Sequence, residues 1–279
     1  MFAGGATKNI LRTFKEAREK KTVLQKIRDY RRFIEIEHEG SDFVVTTAAH
    51  GPALLKVLEL RHEVFIEEWQ GRSAFHGLDV DHHDFFADHL MIVDKCRKKV
   101  IGTYRLLSSH FTHDFYSAGE FHLANFLRLP ATKLEMGRAC IHPNYRDGRV
   151  IDLLWKGLAL YIEATRTNFL FGCTSLKTTS ALEISRLLRT LVDQKAWSDE
   201  YSVRPTAAFD FPAIDLQGAS VLSAAEKRSF FPPLLRSYLH AGAKVYGLPA
   251  LDLDFQCTDI LTILDWNQLN PRFAARFGV

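Results

Sequence analysis

The spacing of apolar and polar residues predicts an alternating series of strands and helices along most of the chain. Short runs rich in Val, Ile, Thr and aromatic residues predict strands at 43–47, 89–94, 100–107, 133–142, 168–176 and 258–264. Apolar residues that recur every three or four positions predict helices at 8–34, 54–69, 151–166, 181–191 and 234–243. Because strands and helices alternate, the expected fold class is α/β or α+β, with one mixed sheet and flanking helices.

Composition and charge are typical of a globular protein and give no indication of a membrane-spanning, secreted or nucleic-acid-binding protein. A chain of 279 residues with 47% hydrophobic residues can bury a full core. A net charge of +3 gives no indication of nucleic-acid binding. No apolar run approaches the ~18 residues of a membrane span, and no secretory signal is expected. The four cysteines are widely spaced and show no metal-ligand rhythm, so we expect reduced, mostly buried thiols in a cytoplasmic protein.

The N-terminal segment is strongly basic. Residues 8–32 contain ten Lys or Arg and three Asp or Glu. We therefore divide the chain into a basic amphipathic segment at 1–40 and a domain at 41–279. One interpretation is that residues 8–34 adsorb to the anionic inner face of the cell membrane, with roughly 1 kcal/mol from each basic residue. The other is a solvated helix packed on the domain, or an interaction arm.

The most informative stretch runs from Leu134 to Val150, where a predicted strand leads through a basic loop into an apolar helix. Free N–H groups converge at a helix N-terminus and the helix dipole favours negative charge, so this arrangement is typical of an anion site. Arg146 and Arg149 flank Gly148 and are able to clamp a phosphate. The alternative is a solvated basic turn.

Glu135 and Arg138 lie within this strand. Side chains three positions apart on a regular strand point to opposite faces. Either each residue serves a different face, or a bulge near Gly137 turns both toward one site. An exposed ion pair of little energetic value is the third interpretation. If Glu135 faces a site, it is a potential base beside a phosphate-bearing ligand.

Residues 79–89 are rich in Asp and His. Their spacing matches none of the usual zinc signatures, so no metal is expected. Acidic groups beside aromatic residues are suited to a cationic substrate. A polar surface loop is the alternative.

Taken together, these segments resemble a known family. The chain is similar to the acyl-homoserine-lactone-synthase-like branch of the GNAT superfamily. Within this branch it resembles the ornithine N-alpha-acyltransferases, a family whose members also carry the name hemolysin. The matching segments are 60–65, 77–81, 88–90, 102–107, 135–138, 142–148, 170–173 and 232–245. They occur in family order over roughly residues 55 to 265, whereas the basic N-terminal segment lies outside the resemblance.

The resemblance implies a fold with a splayed central sheet and a donor pantetheine arm between strands 133–142 and 169–176. It implies Glu135 and Arg138, the Glu-x-x-Arg of the branch, as catalytic residues. The acceptor site implied by the family comprises Arg61, Phe65, Trp69, Asp81, Asp84 and Arg105. The phosphopantetheine site comprises Cys140, Ile141, Arg146, Gly148, Arg149 and Val150.

The donor in this branch is usually a fatty acyl chain on acyl carrier protein. No further cofactor is then expected, and coenzyme A is the less favoured donor. The phosphate loop of the wider superfamily reads Gln/Arg-x-x-Gly-x-Gly/Ala, and here Tyr145 and Val150 stand at its first and last positions. Such a loop suits the single phosphate of a carrier-protein arm better than a pyrophosphate.

The expected activity is transfer of a fatty acyl group, 3-hydroxylated or not, to the alpha-amine of an amino acid. Ornithine is the first acceptor to consider, giving a lyso-ornithine-lipid type of product. Glycine or another amino acid is an alternative acceptor. A non-catalytic membrane-binding protein is the alternative from another class.

Overall fold

One large mixed sheet forms the centre of the fold in the computed structural model, which describes residues 21–71, 77–211 and 214–277. The strands are β1 (Glu37–Glu39), β2 (Phe43–Thr47), β3 (Asp88–Asp94), β4 (Lys99–Ser108), β5 (Phe121–His122), β6 (Lys133–Ile141), β7 (Phe169–Leu176), β8 (Trp197–Ser198), β9 (Arg204–Pro205), β10 (Lys244–Asp252) and β11 (Cys257–Asp265). The nine-stranded sheet has the order β1-β2-β3-β4-β6-β7-β11-β10-β8, and β5 pairs with β9 separately. The predicted mixed sheet is confirmed.

Helices cover both faces of this sheet. They are α1 (21–29), α2 (Gly51–Arg61), α3 (Ser117–Glu120), α4 (Ala124–Leu127), α5 (Arg149–Thr165), α6 (Ala181–Asp193), α7 (Ala224–Phe230), α8 (Pro233–Ala241) and α9 (Pro271–Phe277). A π-helix, His62–Trp69, continues α2. Within the described ranges, none of these helices combines the length and apolar character needed to cross a bilayer.

Successive strand residues point into different cores, since side chains alternate across a sheet. Leu106 and Leu170 pack in the cluster that contains α5, α8 and α9. Their neighbours Leu107 and Phe171 pack on the opposite face with the aromatic residues of 115–126. The long helix α5 lies against β2, β3 and β4, where Gly157 allows close approach to Val45 and Leu90.

The central strands β6 and β7 separate after a short parallel pairing. Only Lys133–Glu135 pair with Phe169–Phe171. Beyond this point β7 continues to pair with β11 as far as Leu176, and β6 continues beside β4. The predicted splay between these two strands is confirmed.

Gly172 stands where the two strands begin to part. A Cβ at this position would lie 2.2 Å from the carbonyl oxygen of Met136. Only glycine allows the backbones to approach this closely before they diverge.

We expect Gly172→Ala to lower the free energy of unfolding by about 1–3 kcal/mol, because the added methyl group must displace the backbone of β6. Urea denaturation followed by circular dichroism measures the change. Gly119→Ala is the matched control, since a Cβ there meets nothing within 4 Å. Equal losses in the two variants would contradict the close approach at Gly172.

The N-terminal helix ends earlier than predicted. Residues 8–20 of the predicted helix lie outside the described residues, and α1 ends at residue 29 rather than 34. The N–H groups of Phe33 and Ile34 donate to the Asp88 carboxylate at 2.8 and 3.0 Å, which holds this stretch out of a helix. Ile27 and Tyr30 are buried in the core beside α2, so the described part of the segment is packed on the domain.

The region after α8 also differs from the expectation. Predicted helix 234–243 ends at Ala241, where Gly242 adopts a left-handed C-cap with φ of 111°. Strand β10 follows and was not predicted, because Gly247 and Pro249 interrupt its apolar pattern. The pairing register of β10 with β11 shifts between Tyr246 and Ala250. Gly247 and Pro249 lie within this irregularity, where a glycine and a proline are tolerated.

Candidate active site

A cavity of about 240 Å³ opens where β6 and β7 diverge. Its wall includes Phe65, Trp69, Tyr104, Arg105, Tyr116, Glu135, Met136, Gly137, Arg138, Cys173, Thr174, Leu234, Tyr238, Asp252, Phe255 and Asp259. The predicted catalytic pair and three of the six predicted acceptor residues, Phe65, Trp69 and Arg105, therefore share one cavity.

A bulge in β6 brings the catalytic pair to the cavity. Thr103 of β4 pairs with Cys140 and Arg105 pairs with Gly137, so β6 contains one extra residue between these pairs. Arg138 takes up the bulge with a φ of 51°, which is left-handed backbone. Because the bulge breaks the alternation of side chains, Glu135 and Arg138 both line the cavity, as one of the sequence interpretations required.

The carboxylate of Glu135 is held by the start of α3. Oε1 accepts hydrogen bonds from the backbone N–H of Ser117 at 2.6 Å and from the Ser117 hydroxyl. Oε2 accepts from the N–H of Tyr116 at 2.7 Å. Glu135 is only 2% exposed, and this burial raises the pKa of its carboxyl, although the hydrogen bonds from Ser117 and Tyr116 oppose the shift.

The paired aspartates anchor the predicted acceptor arginines. Asp84 accepts from Arg61 at 2.6 Å and lies 3.3 Å from Arg105. Asp81 accepts from Arg105 at 2.7 Å and from Arg138 at 3.2 Å. Burial opposes ionisation of both carboxyls, yet Arg61 and Arg105 lower the pKa of Asp84 to about 2. A hydrogen bond with His83, together with Arg105 and Arg138, holds the pKa of Asp81 well below its usual range.

Asp79 also joins this network, and the sequence did not single it out as a site residue. Its carboxylate accepts from Arg61 at 2.8 Å and lies 3.8 Å from Arg138. The sequence analysis placed it only in the Asp- and His-rich segment 79–89 and in the matching segment 77–81.

Aromatic rings frame the arginines. The π-helix carries Phe65 and Trp69 to the cavity wall. Tyr116 lies under both cavity arginines, with its ring centroid 5.4 Å from the Arg105 guanidinium and 5.2 Å from that of Arg138. No motif in the sequence pointed to Tyr116.

An acidic part of the wall was also missed by the sequence analysis. Asp252 at the end of β10 and Asp259 in β11 line the cavity. Glu120 lies behind the cavity residue Cys173, whose Sγ is 3.3 Å from Oε2 of Glu120. Burial and mutual repulsion raise the pKa of Glu120 to about 8 and that of Asp259 to about 6. These residues come from distant segments, so sequence spacing gave no signal.

The predicted phosphopantetheine residues lie around the start of α5, and none of them is among the described residues of the cavity wall. Gly148 has a φ of 96° at the N-cap, as a sharp entry to the helix requires. Arg146 forms two hydrogen bonds to Glu68 at 2.6 and 2.7 Å, and Arg149 pairs with Asp147 at 2.7 Å. The predicted arginines are therefore exposed but already paired.

The other three residues of this predicted site have structural contacts. Val150 is buried against Gly102, where an added Cβ would lie 2.7 Å from Val150 Cγ1. Cys140 is buried, and burial raises the pKa of its thiol to about 12. The carbonyl oxygen of Ile141 accepts from Nε of Arg146 at 2.9 Å. Their role in donor binding stays a prediction.

Two groups of side chains have the spacing of metal ligands among the described residues: Asp81 with His82 and His83, and Asp252 with Cys257 and Asp259. In the first group, Asp81 is occupied by two arginines. In the second, burial raises the pKa of the Cys257 thiol and disfavours the thiolate that binds metals. The expectation of no metal stays a prediction.

Comparison with known proteins identifies the family. Residues 60–156 match the model of the acetyltransferase (GNAT) domain. The L-ornithine N(alpha)-acyltransferase of Rhizobium meliloti is 30% identical over 233 residues, which cover 78% of each chain. The enzyme of the same name from Brucella abortus is 29% identical over 240 residues, covering 81% of this chain and 85% of the relative. Among solved structures, the AHL synthase LasI aligns with 85% of this chain and 95% of its own at 14% identity and a TM-score of 0.49. The chain therefore belongs to the L-ornithine N(alpha)-acyltransferase family of GNAT proteins and is an N-acyltransferase.

Proposed function

We propose that the protein transfers a fatty acyl group from acyl carrier protein to the alpha-amine of ornithine, giving an N-acyl ornithine of the lyso-ornithine-lipid type. The observation that carries the proposal is the cavity at the β6–β7 splay, which places Glu135 beside the gap between the strands. The 30% identity to a relative that bears the name L-ornithine N(alpha)-acyltransferase supports ornithine as the acceptor.

The chemistry follows from the groups at the splay. An amino acid's alpha-amine is mostly protonated near neutral pH and must lose a proton before it attacks a thioester. Glu135 takes this proton, directly or through water, and the neutral amine then attacks the acyl carbon. As the carbon–sulfur bond breaks, the leaving thiolate takes the second proton from the attached nitrogen, and Glu135 releases the first proton to solvent. Beyond Glu135, the N–H groups of β6 that face β7 lack partners on that strand, and we assign them to the oxyanion.

The cavity also offers apolar surface near the splay for the first part of an acyl chain. This surface is formed by Met136, Pro232, Leu234, Tyr238 and Phe255. Pro232, Leu234 and Tyr238 come from α8 and its N-cap, on the side of the sheet that carries α5.

Acyl carrier protein, rather than coenzyme A, is the donor that we propose. Tyr145 occupies the first position of the phosphate loop, where its hydroxyl donates to Asp94 at 2.7 Å. Arg146 and Arg149 are exposed and lie close to the N-terminus of α5, where they suit the phosphate and acidic surface of a carrier protein.

Charge reversal tests this docking surface. We expect Arg146→Glu combined with Arg149→Glu to raise KM for acyl carrier protein by about tenfold, and to raise KM for a short acyl-pantetheine thioester much less. Steady-state kinetics with both donors measure the difference. Arg204→Glu is the control, because Arg204 is similarly exposed and pairs with Asp199. Equal effects on both donors would argue against carrier docking at this surface.

We also propose peripheral contact of the basic segment with an anionic membrane, where the amphiphilic product would accumulate. In the described part of the segment, Lys21, Lys26, Arg28 and Arg31 are exposed, whereas Ile27 and Tyr30 face the core. These exposed cations are therefore able to face a lipid surface while α1 stays packed on the domain.

The whole reaction is tested by incubating the purified protein with a pool of amino acids and, in parallel samples, acyl carrier protein thioesters or acyl coenzyme A. Mass spectrometry then identifies the N-acylated products. We expect N-acyl ornithine to dominate. N-acyl glycine as the main product would support the alternative acceptor, and a product formed only from acyl coenzyme A would overturn the proposed donor.

A further inference from the structure

Opposite charges line different parts of the same cavity. Arg105 and Arg138 reach it from β4 and β6, and Asp252 and Asp259 from β10 and β11. Resting on the proposed function, we infer that the acidic cluster of Asp252 and Asp259 on the wall, with Glu120 behind Cys173, binds the side-chain ammonium of a diamino acid acceptor, whose carboxylate is held by the arginines. Selectivity for the acceptor's side chain then depends on three residues that lie outside the predicted acceptor site.

The acidic cluster is buried without a cationic partner. Glu120, Asp252 and Asp259 are 3%, 7% and 4% exposed. Asp259 accepts from the Ser175 hydroxyl at 2.6 Å, and Asp252 accepts from the backbone N–H groups of residues 254 and 255 at 2.9 Å each. Across the described ranges, no Lys, Arg or His nitrogen lies within salt-bridge distance of these three carboxylates. Buried carboxylates of this kind are costly unless a cation joins them.

The basic wall gives a second and independent observation. Arg105 is 2% exposed, and its Nε has no hydrogen-bond partner among the described residues, although its Nη1 pairs with Asp81 and Asp84. Nε faces Gly137 of the cavity wall, where an added Cβ would lie 3.8 Å away. A buried guanidinium N–H without an acceptor costs free energy, and a ligand carboxylate would satisfy it.

Nε of Arg138 and the Thr174 hydroxyl are two more buried polar atoms of this wall that have no hydrogen-bond partner in the described structure, although Asp79 lies 3.8 Å from Nε of Arg138. The cavity therefore presents donors without a hydrogen-bond acceptor as well as carboxylates without a cationic partner. A ligand that carries a carboxylate at one end and an ammonium at the other satisfies both sets. Ornithine and other diamino acids have this form, whereas glycine and neutral amino acids have no second ammonium.

The test compares ornithine with norvaline, which has the same carbon skeleton and lacks the side-chain amine. We expect the protein to favour ornithine by about 10²-fold or more in kcat/KM, since a site built for a polar group rejects an analogue that lacks it. Asp259→Asn and Glu120→Gln should each lower this preference by at least about tenfold, mainly through KM for ornithine.

Asp88→Asn is the matched control, because Asp88 is equally buried and is absent from the described cavity wall. Its preference for ornithine over norvaline should stay as in the unmodified protein, and thermal denaturation checks that all variants fold. An unchanged preference in both acidic variants would overturn the inference. Loss of the preference on treatment with EDTA would also overturn it, in favour of a divalent cation on Asp252, Cys257 and Asp259.

Binding measured without an acyl donor separates this inference from the proposed reaction. Isothermal titration should show that ornithine binds more tightly than norvaline, and that Asp259→Asn reduces the difference. If no amino acid is acylated but this binding pattern holds, the proposed function fails and the ammonium site stands. If acylation proceeds with equal kcat/KM for both acceptors, the ammonium site fails and the proposed function stands.

Discussion

Glu135→Gln is expected to lower kcat by about 10²–10⁴-fold and the free energy of unfolding by about 1–3 kcal/mol. The amide keeps the shape of the carboxylate but cannot accept a proton from the acceptor amine. Its single oxygen accepts from only one of the N–H groups of Tyr116 and Ser117, which donate to different oxygens of Glu135, and its NH2 group leaves the other without an acceptor. Pre-steady-state and steady-state rates with acyl carrier protein thioesters measure the loss. Turnover within a few-fold of the unmodified protein would remove Glu135 from the role of base.

The dependence of kcat/KM on pH distinguishes a Glu135 that acts as the base from a Glu135 that only positions α3. Burial raises the pKa of Glu135, so the ionised form is lost at a higher pH than in an ordinary glutamate. As the pH decreases, activity that depends on this form should therefore begin to fall at that higher pH. The Ser117 hydroxyl stabilises the ionised form, so Ser117→Ala should raise this pKa further and move the acidic limb of kcat/KM to higher pH. If the limb does not move in Ser117→Ala, Glu135 is not the group that titrates.

Local patterns in the sequence predicted much of the central sheet. Strands β3, β4, β6, β7 and β11 were expected within two residues of their observed bounds. Gly137 signalled a bulge, because glycine inside a strand is a common cue for one, and the shift of register beside it confirms the inference. The splay of β6 from β7 was implied by the family resemblance alone, since strand propensity does not report which strands separate.

The residues that were missed are those whose environment depends on distant contacts. Tyr116 stands in an irregular stretch and becomes notable only because Arg105 and Arg138 lie over its ring. Glu120 and Asp259 are 139 positions apart and meet only because β11 pairs with β7 while α3 packs beside Cys173. The basic loop shows the opposite case: its arginines looked free in the sequence, yet each pairs with a carboxylate, one of which belongs to Glu68 of the π-helix.

Asp84→Asn is expected to lower the free energy of unfolding by about 3–5 kcal/mol, the cost of breaking a buried ion pair on one side. Asp84 is fully buried and accepts from Arg61 at 2.6 Å, while Arg105 lies 3.3 Å away. It also accepts from the backbone N–H of Asp81 at 2.8 Å, so the substitution loosens the turn that carries both aspartates. Urea denaturation at pH 7 measures the loss. Asp147→Asn, which removes an exposed carboxylate paired with Arg149, should leave the free energy of unfolding close to that of the unmodified protein.

The same carboxylate predicts how stability depends on pH. The pKa of Asp84 is lowered from its usual 3.8 to about 2 in the folded protein, so its ionised form stabilises the fold above pH 3.8. This contribution is lost as the pH falls from about 4 to about 2, where the folded protein must also take up a proton. The Asp84→Asn variant should therefore show a shallower loss of stability over this range than the unmodified protein. If both proteins lose stability with the same slope as the pH falls, the arginines do not hold Asp84 in its ionised form. The network of Arg61, Asp84 and Arg105 then does not stabilise the cavity wall, contrary to what its distances indicate.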